Sequence, residues 1–255
     1  NRLWHYTFGT GIAPTPSDLG ANGIPPTHPE LLDWLASEFI QHGWSIKHIQ
    51  KLILTSHTFQ QSSHPQPLAL AIDASSSLLW RFPPRRLEAE AIRDSILAVS
   101  GALDLTMGGP GFYLHDVEVE NVMHYHPKEE IGPAEFRRMV YLFKIRQEQD
   151  AIFGSFDCPD GNQVIPQRSR SNTPLQALNL FNSPFTLQQA NTLASRLQSE
   201  AGPNPNEQTT LAFQLAFART PDAFERESSS RFIANHGLPA FCRTLLNTSE
   251  FLFVF

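Results

Sequence analysis

The stretch Gln167–Pro184, QRSRSNTPLQALNLFNSP, carries two arginines, two helix starts and a run of amides. Thr173 is placed to cap a helix, because its hydroxyl can accept from the free amide of Gln176. Gln176 can reach back and complete a Thr-x-x-Gln capping box. Pro174 takes the first helical position, where a missing N–H costs nothing. Leu175, Leu178 and Phe181 recur at helical spacing, which predicts a buried face. Asn182 suits the left-handed position that closes a helix, and Ser183-Pro184 starts the next by the same cap-and-proline logic.

Arg168 and Arg170 stand just before this helix, whose free N–H groups and dipole already favour negative charge. With Asn172 and Gln176 they make a candidate surface for an anion or a carboxylate, and Arg86 and Arg93 are candidates to join it. The competing reading is structural: the arginines pair with acidic residues elsewhere and staple the loop. A loop of small polar residues has little apolar surface to fix it, so ion pairs must do so. Arg168 or Arg170 is therefore expected to meet the Arg85–Asp94 segment or Asp157.

Composition sets the frame. The chain of 255 residues is 41% hydrophobic and 17% charged, with 20 Pro scattered along it. That predicts a packed core, many fixed turns and proline-started helices. A formal net charge of -6 gives no general attraction to nucleic acid or an anionic membrane. No apolar run approaches the roughly 20 residues needed to span a bilayer. The chain starts at Asn1 and reads as folded from the outset, so it is expected to be a fragment or a processed product. Cys158 and Cys242 are the two cysteines, and either a disulfide or two buried thiols fits them. No C-x-x-C-H or C-x-x-C occurs, which leaves no c-type haem attachment and no common zinc layout within the segment.

Along the chain, a Gly/Pro-rich loop follows Asn1–Phe8. Thr27-His28-Pro29-Glu30 then reads as a capping box that opens a helix. Its stripe is Leu31, Leu32, Leu35, Phe39 and Ile40. Gly43 ends this helix and Ser45 caps another, with Ile46, Ile49, Leu52 and Ile53 inward. Ser56–Ser77 reads as a crossing segment. Arg85–Leu103 reads as the most regular helix, with Leu87, Ala91, Ile96, Val99 and Leu103 on one face. Arg86, Glu90, Arg93 and Asp94 are on another, and Met107–Pro110 ends it. Phe112–Val122 reads as a strand or extended loop, His124–Glu130 as an irregular excursion and Arg137–Arg146 as a strand. A short helix is expected over Gln149–Phe153. After Pro184 a long helix runs to about Glu200 with Ala190, Leu193, Ala194 and Leu197 inward. Further helices are expected over Glu207–Ala218, from Thr220-Pro221, and over Pro239–Phe251, after which the apolar tail docks on the core. The fold class is mainly α, a multi-helix single domain over residues 1–255 with a minor β element.

Several ordered stretches carry a resemblance. They are NRLWHYTFGTGIAPTPSDLG, HPELLDWLASEF followed by GWSIKHI, TSHTFQQSS, RRLEAEAIRDSILAVSGALD, FD-x-P followed by R-x-x-TPLQALNLFNSPF, and CRTLLNTSEFLFV. Together they resemble the planctomycete-specific domain one family, a domain of unknown function. The region Leu114–Glu135 departs from the pattern, and the segment before the final helix is short. The resemblance implies the C-terminal part of a longer exported protein, periplasmic or at the cell surface. Upstream domains of the same polypeptide would be its partners, often including a cytochrome-c-like module that would carry any haem. It brings no reaction with it.

Three chemistries compete. His115, Asp116, Glu118, Glu120, His124 and His126 fall within one segment, and in an extended chain His124 and His126 point to one side and could share a metal. No ligand spacing here is diagnostic, and a solvated loop fits as well. Glu88, Glu90, Asp94 and Asp157 supply carboxylates for glycosidic acid–base chemistry, which needs only two held about 5–10 Å apart. Arginine neighbours instead favour keeping them ionised and structural. The aromatics, Trp34 and Phe39 among them, offer platforms for a glycan or a partner, although helical spacing assigns those two to the core. The reading that follows is an accessory or binding domain of an exported redox or polysaccharide-processing protein. The alternative is a hydrolase or lyase acting on an anionic polysaccharide through a carboxylate/arginine centre.

Overall fold

The computed structural model describes residues 1–128, 130–146, 153–159 and 161–255. Among these the chain is mainly helical with a minor β element, as composition and periodicity predict. It forms two compact units, Asn1–Arg85 with Phe253–Phe255, and Arg86–Leu252. No helix of the described residues is long and apolar enough to cross a membrane.

The first unit holds α1 (Arg2–Phe8), α2 (Pro29–Gln41), α3 (Ile46–Leu54) and α4 (Pro67–Ile72). Its core is Trp4, Phe8, Ile12, Leu35, Ile49, Ile53 and Phe82, with Leu31, Leu32, Phe39, Leu52 and Val254 packed against it. Helix α2 starts from His28 without a side-chain cap. The predicted Thr27 box does not form, because the Thr27 hydroxyl bonds the Ile12 carbonyl instead. Trp34, Ile40 and Ile46 are exposed rather than core. The short α2–α3 hairpin buries a narrower stripe than the sequence offers. Helix α4 interrupts the expected crossing segment, yet buries none of its residues.

The second unit is built on α5 (Ala89–Ser100) and α7 (Pro184–Ala201), with α6 (Pro174–Asn182) leading into α7. Helices α8 (Pro205–Phe217), α9 (Ala223–His236), α10 (Leu238–Leu245) and α11 (Ser249–Leu252) follow. Helix α5 is shorter than predicted. Arg85–Arg86 is a short strand, β1, Glu88 is the N-cap residue, and Gly101, at φ 83°, ends the helix by adopting the left-handed conformation. Its buried face is Ala89, Ile92, Arg93, Ile96, Leu97, Val99 and Ser100, while Ala91 faces solvent. Helix α7 buries Ala190, Leu193, Ala194 and Leu197 as predicted. Helix α9 is capped by Asp222 in a box with Glu225, not by Thr220. The expected last helix is two, α10 and α11, and Phe251 and Leu252 are buried.

The β element is mostly a hairpin. Strands β2 (His115–Val119) and β3 (Met123–Pro127) pair antiparallel with Val117 opposite Tyr125, where an irregular excursion was expected for His124–Glu130. Arg137–Arg146 is not a strand: Met139–Tyr141 is a 3-10 turn, and only single bridges join Arg137 to Asp104 and Leu142 to Phe112. Helix Gln149–Phe153 falls largely outside the described residues; Phe153–Phe156 is a 3-10 turn. Cys158 and Cys242 are both free and buried.

Candidate functional site

The cap that opens α6 forms as its residues require. The Gln176 N–H donates to Thr173 Oγ1 at 3.3 Å, and Gln176 Oε1 accepts from the Thr173 N–H at 3.2 Å. The remaining amide of Gln176 donates to Ser155 O at 2.9 Å and to Ser171 Oγ at 2.8 Å. One buried glutamine thus closes the helix start and fixes the loop before it. The rest of α6 departs from the predicted face. Leu175 and Leu178 are exposed and Leu180 is buried. Asn182 stays helical, with Ser183 serving both as the end of α6 and as the cap of α7.

Around this helix start the second unit gathers Arg86, Glu88, Glu90, Asp157, Arg168 and Arg170. Arg168 Nη1 donates to Glu90 Oε2 at 2.7 Å and to Glu88 Oε2 at 3.1 Å. Arg170 Nη2 stands 3.9 Å from Glu88 Oε1. Arg86 Nη2 donates to Asp157 Oδ2 at 2.6 Å, and its Nε donates to Ser171 O at 3.2 Å. Asp157 also accepts from the Ser171 N–H at 2.8 Å and from its hydroxyl at 3.0 Å. These bonds hold Asp157 at φ 60°, in the left-handed region that a non-glycine residue seldom enters. The expected meeting of the arginines with the Arg85–Asp94 segment therefore occurs through Arg168 on Glu88 and Glu90. Asp157 is taken by Arg86.

The electrostatics follow from these contacts. Burial opposes charge on Glu90, but the Arg168 hydrogen bond and charge outweigh it, and the carboxyl lies below its ordinary range. For Arg168 burial is likewise outweighed by the same carboxylates, which hold its guanidinium above the usual value. Lys144 Nζ donates to Cys158 Sγ at 2.9 Å, and Cys158 stands 3.9 Å from Glu90. Burial nevertheless pushes the Cys158 thiol up, so it is protonated at neutral pH. Among the described residues the centre carries four cations, Arg86, Lys144, Arg168 and Arg170, against three carboxylates, Glu88, Glu90 and Asp157. Arg170 Nε is buried without a hydrogen-bond partner among the described residues.

Arg93 is placed elsewhere. It is 1% exposed, donates to the carbonyls of Glu135 and Arg137, and lies over the rings of Phe112 and Phe185. Asn172 is exposed beside the α6 cap. His124 and His126 lie two apart on β3, opposite Glu118 and Asp116, and His126 Nε2 is 3.4 Å from Glu118 Oε2 with both side chains exposed. Sequence reasoning missed Ser171 and Lys144. Ser171 sits between the second arginine and the cap, a position that offers Asx-like and Ser-turn bonds and was readable as a hub. Lys144 carried no signal.

The model of a family described as PSD1, protein of unknown function (DUF1553), matches residues 1–233. No characterised protein and no solved structure matches the chain. The match runs from α1 into α9 and includes the arginine loop and the α6 cap; it covers the ordered motifs of the resemblance except the last, CRTLLNTSEFLFV, which lies beyond it. The chain belongs to the DUF1553 family of proteins of unknown function.

Proposed function

We propose that this is an accessory binding domain in which the arginine loop before α6 receives an anionic group, such as the carboxylate or sulfate of a glycan. The observation that supports it is Arg170. Among the described residues, every carboxylate of the centre has a close cationic partner, whereas Arg170 has a 3.9 Å contact to Glu88 and a buried Nε without a hydrogen-bond partner. A buried guanidinium N–H left unpaired is costly, and an incoming oxyanion satisfies it in the planar geometry that arginine favours. The domain would serve upstream domains of an exported redox or polysaccharide-processing protein, holding substrate or a neighbouring surface rather than cleaving it.

The hydrolase reading is less well supported. A glycosidic general acid must keep its proton near neutral pH, and Glu90 is held in the opposite direction by Arg168. Calorimetric titration with carboxylated and sulfated oligosaccharides tests the two readings. Binding that weakens about tenfold or more in Arg170→Ala, without turnover, is the expected result. No binding by the unaltered protein sinks the proposal, and turnover lost in Glu90→Gln or Asp157→Asn moves the assignment to the hydrolase.

A further inference from the structure

The helical hairpin of the first unit carries a second cluster, independent of the arginine centre. Glu38 on α2 and His42, the residue that closes its C-terminus, stand one turn apart, so their side chains share a face. His48 returns to that face from the first turn of α3. The link between them is tight: Gly43 and Trp44 both take left-handed conformations, at φ 66° and 61°. The Trp44 N–H closes on Phe39 O at 2.8 Å, and the two rings meet edge to face at 5.2 Å. Ser45 Oγ then accepts from the His48 N–H at 3.2 Å, fixing the backbone that carries the second imidazole.

Glu38 Oε2 lies 3.2 Å from His42 Nδ1 and 3.2 Å from His48 Nε2. One ligand atom from each of the three residues falls within 4.8 Å of the others, and no other such group of three occurs among the described residues. Imidazole and carboxylate ligands sit about 2.0–2.2 Å from Zn²⁺, so two of them at a tetrahedral angle are about 3.3 Å apart. The two measured separations fit that spacing. We propose that Glu38, His42 and His48 form a binding site for a divalent transition cation of the zinc class, with two nitrogens and one oxygen from the protein. Two imidazoles and a carboxylate suit zinc, nickel or cobalt better than calcium or magnesium, which prefer all-oxygen shells.

The rings of His42 and His48 are stacked, with centroids 3.8 Å apart and planes 13° from parallel. Parallel rings cannot aim both lone pairs at one point, so His42 turns about its Cβ–Cγ bond when the cation enters. It also leaves its 3.0 Å contact with the Glu38 carbonyl. Its side chain is 46% exposed against 29% for His48 and 21% for Glu38, so the ring that must move is the one least held by packing. Three protein ligands leave a coordination position for water or for a group from another molecule. The cation would also tie the two helices together at their connection.

Metal-stripped protein titrated with Zn²⁺ by calorimetry, and with Co²⁺ by visible absorption, tests the site. One equivalent is expected, with at least about tenfold weaker binding in Glu38→Gln and in His48→Gln. It should be unchanged in a His124→Asn/His126→Asn variant, which removes the exposed histidines of the β2–β3 hairpin. If His48→Gln loses its helical circular dichroism, His42→Gln replaces it, since that half-exposed ring supports no core contact. Absence of binding, binding undiminished in the α2–α3 variants, or binding lost only in the hairpin variant overturns the proposal.

Discussion

Two arginines meet the same helix of the second unit and are satisfied in opposite ways. Arg93 enters the core from α5, where backbone carbonyls and aromatic faces receive it. The carboxylate of Asp94 is 3.7 Å away. Arg168 comes from a loop, keeps 29% of its side chain exposed, and bonds two carboxylates near the start of that helix. A guanidinium on carbonyls cannot exchange partners without breaking backbone structure. One on partly exposed carboxylates can. The first is an anchor, and the second is open to competition by an incoming anion.

The largest effect should therefore come from Arg93. Arg93→Ala leaves the carbonyls of Glu135 and Arg137 without their donors and opens space beside Phe112 and Phe185. A loss of roughly 3–5 kcal/mol is expected in denaturant unfolding, as for breaking a buried charged network. Thr173→Ala removes the oxygen that accepts the Gln176 N–H, at about 1 kcal/mol. Arg168→Ala should cost less than the anchor by a wide margin, about 0–1 kcal/mol, because its pairs are partly solvated. A loss equal to that of Arg93→Ala would abolish the distinction between the two centres. Arg170→Ala should leave the melting temperature nearly unchanged while removing oligosaccharide binding.

Acid sharpens the same contrast. The folded-state pKa of Glu90 lies below its unfolded value, so its contribution is present above about pH 4.3 and is lost as pH falls through the folded value. Asp94, one turn further along α5, is shifted the other way. Burial raises it despite the Met139 N–H and the charges of Arg93 and Arg138. Its contribution is complete below about pH 3.9 and is lost as pH rises through its folded value. Melting curves across pH 2.5–7 (about the range these shifts span) should flatten on their acid limb in Glu90→Gln. In Asp94→Asn, stability near neutrality should rise relative to stability in acid. The same change of slope in both variants would contradict the opposed shifts.

The sequence made some of this legible. A cap is read from residues three apart, so the Thr173/Gln176 box needed no tertiary information. The long α7 repeats its apolar residues over enough turns for its buried face to be unambiguous. Helix α6 is too short for that, and Leu175 and Leu178 are apolar without being buried. The meeting of Arg168 with Glu88 and Glu90 was foreseeable in kind, since a polar loop needs ion pairs to hold it. Arg93 was grouped with the ligand-facing arginines because periodicity records spacing and not which side of a helix meets the core. The Glu38/His42/His48 cluster was missed, although a Glu–His pair one turn apart followed by a short connection and a third ligand was a readable signal.

Local chemistry determined where α6 and α7 start, because caps and prolines act within a few residues and contribute about 1 kcal/mol. Only the tertiary structure decided which charge meets which. Arg86 and Asp157 are 71 positions apart in the chain, and Arg168 and Glu90 are 78 apart. The partner of an ion is chosen by proximity and burial across the packed unit. Sequence spacing carries no measure of either.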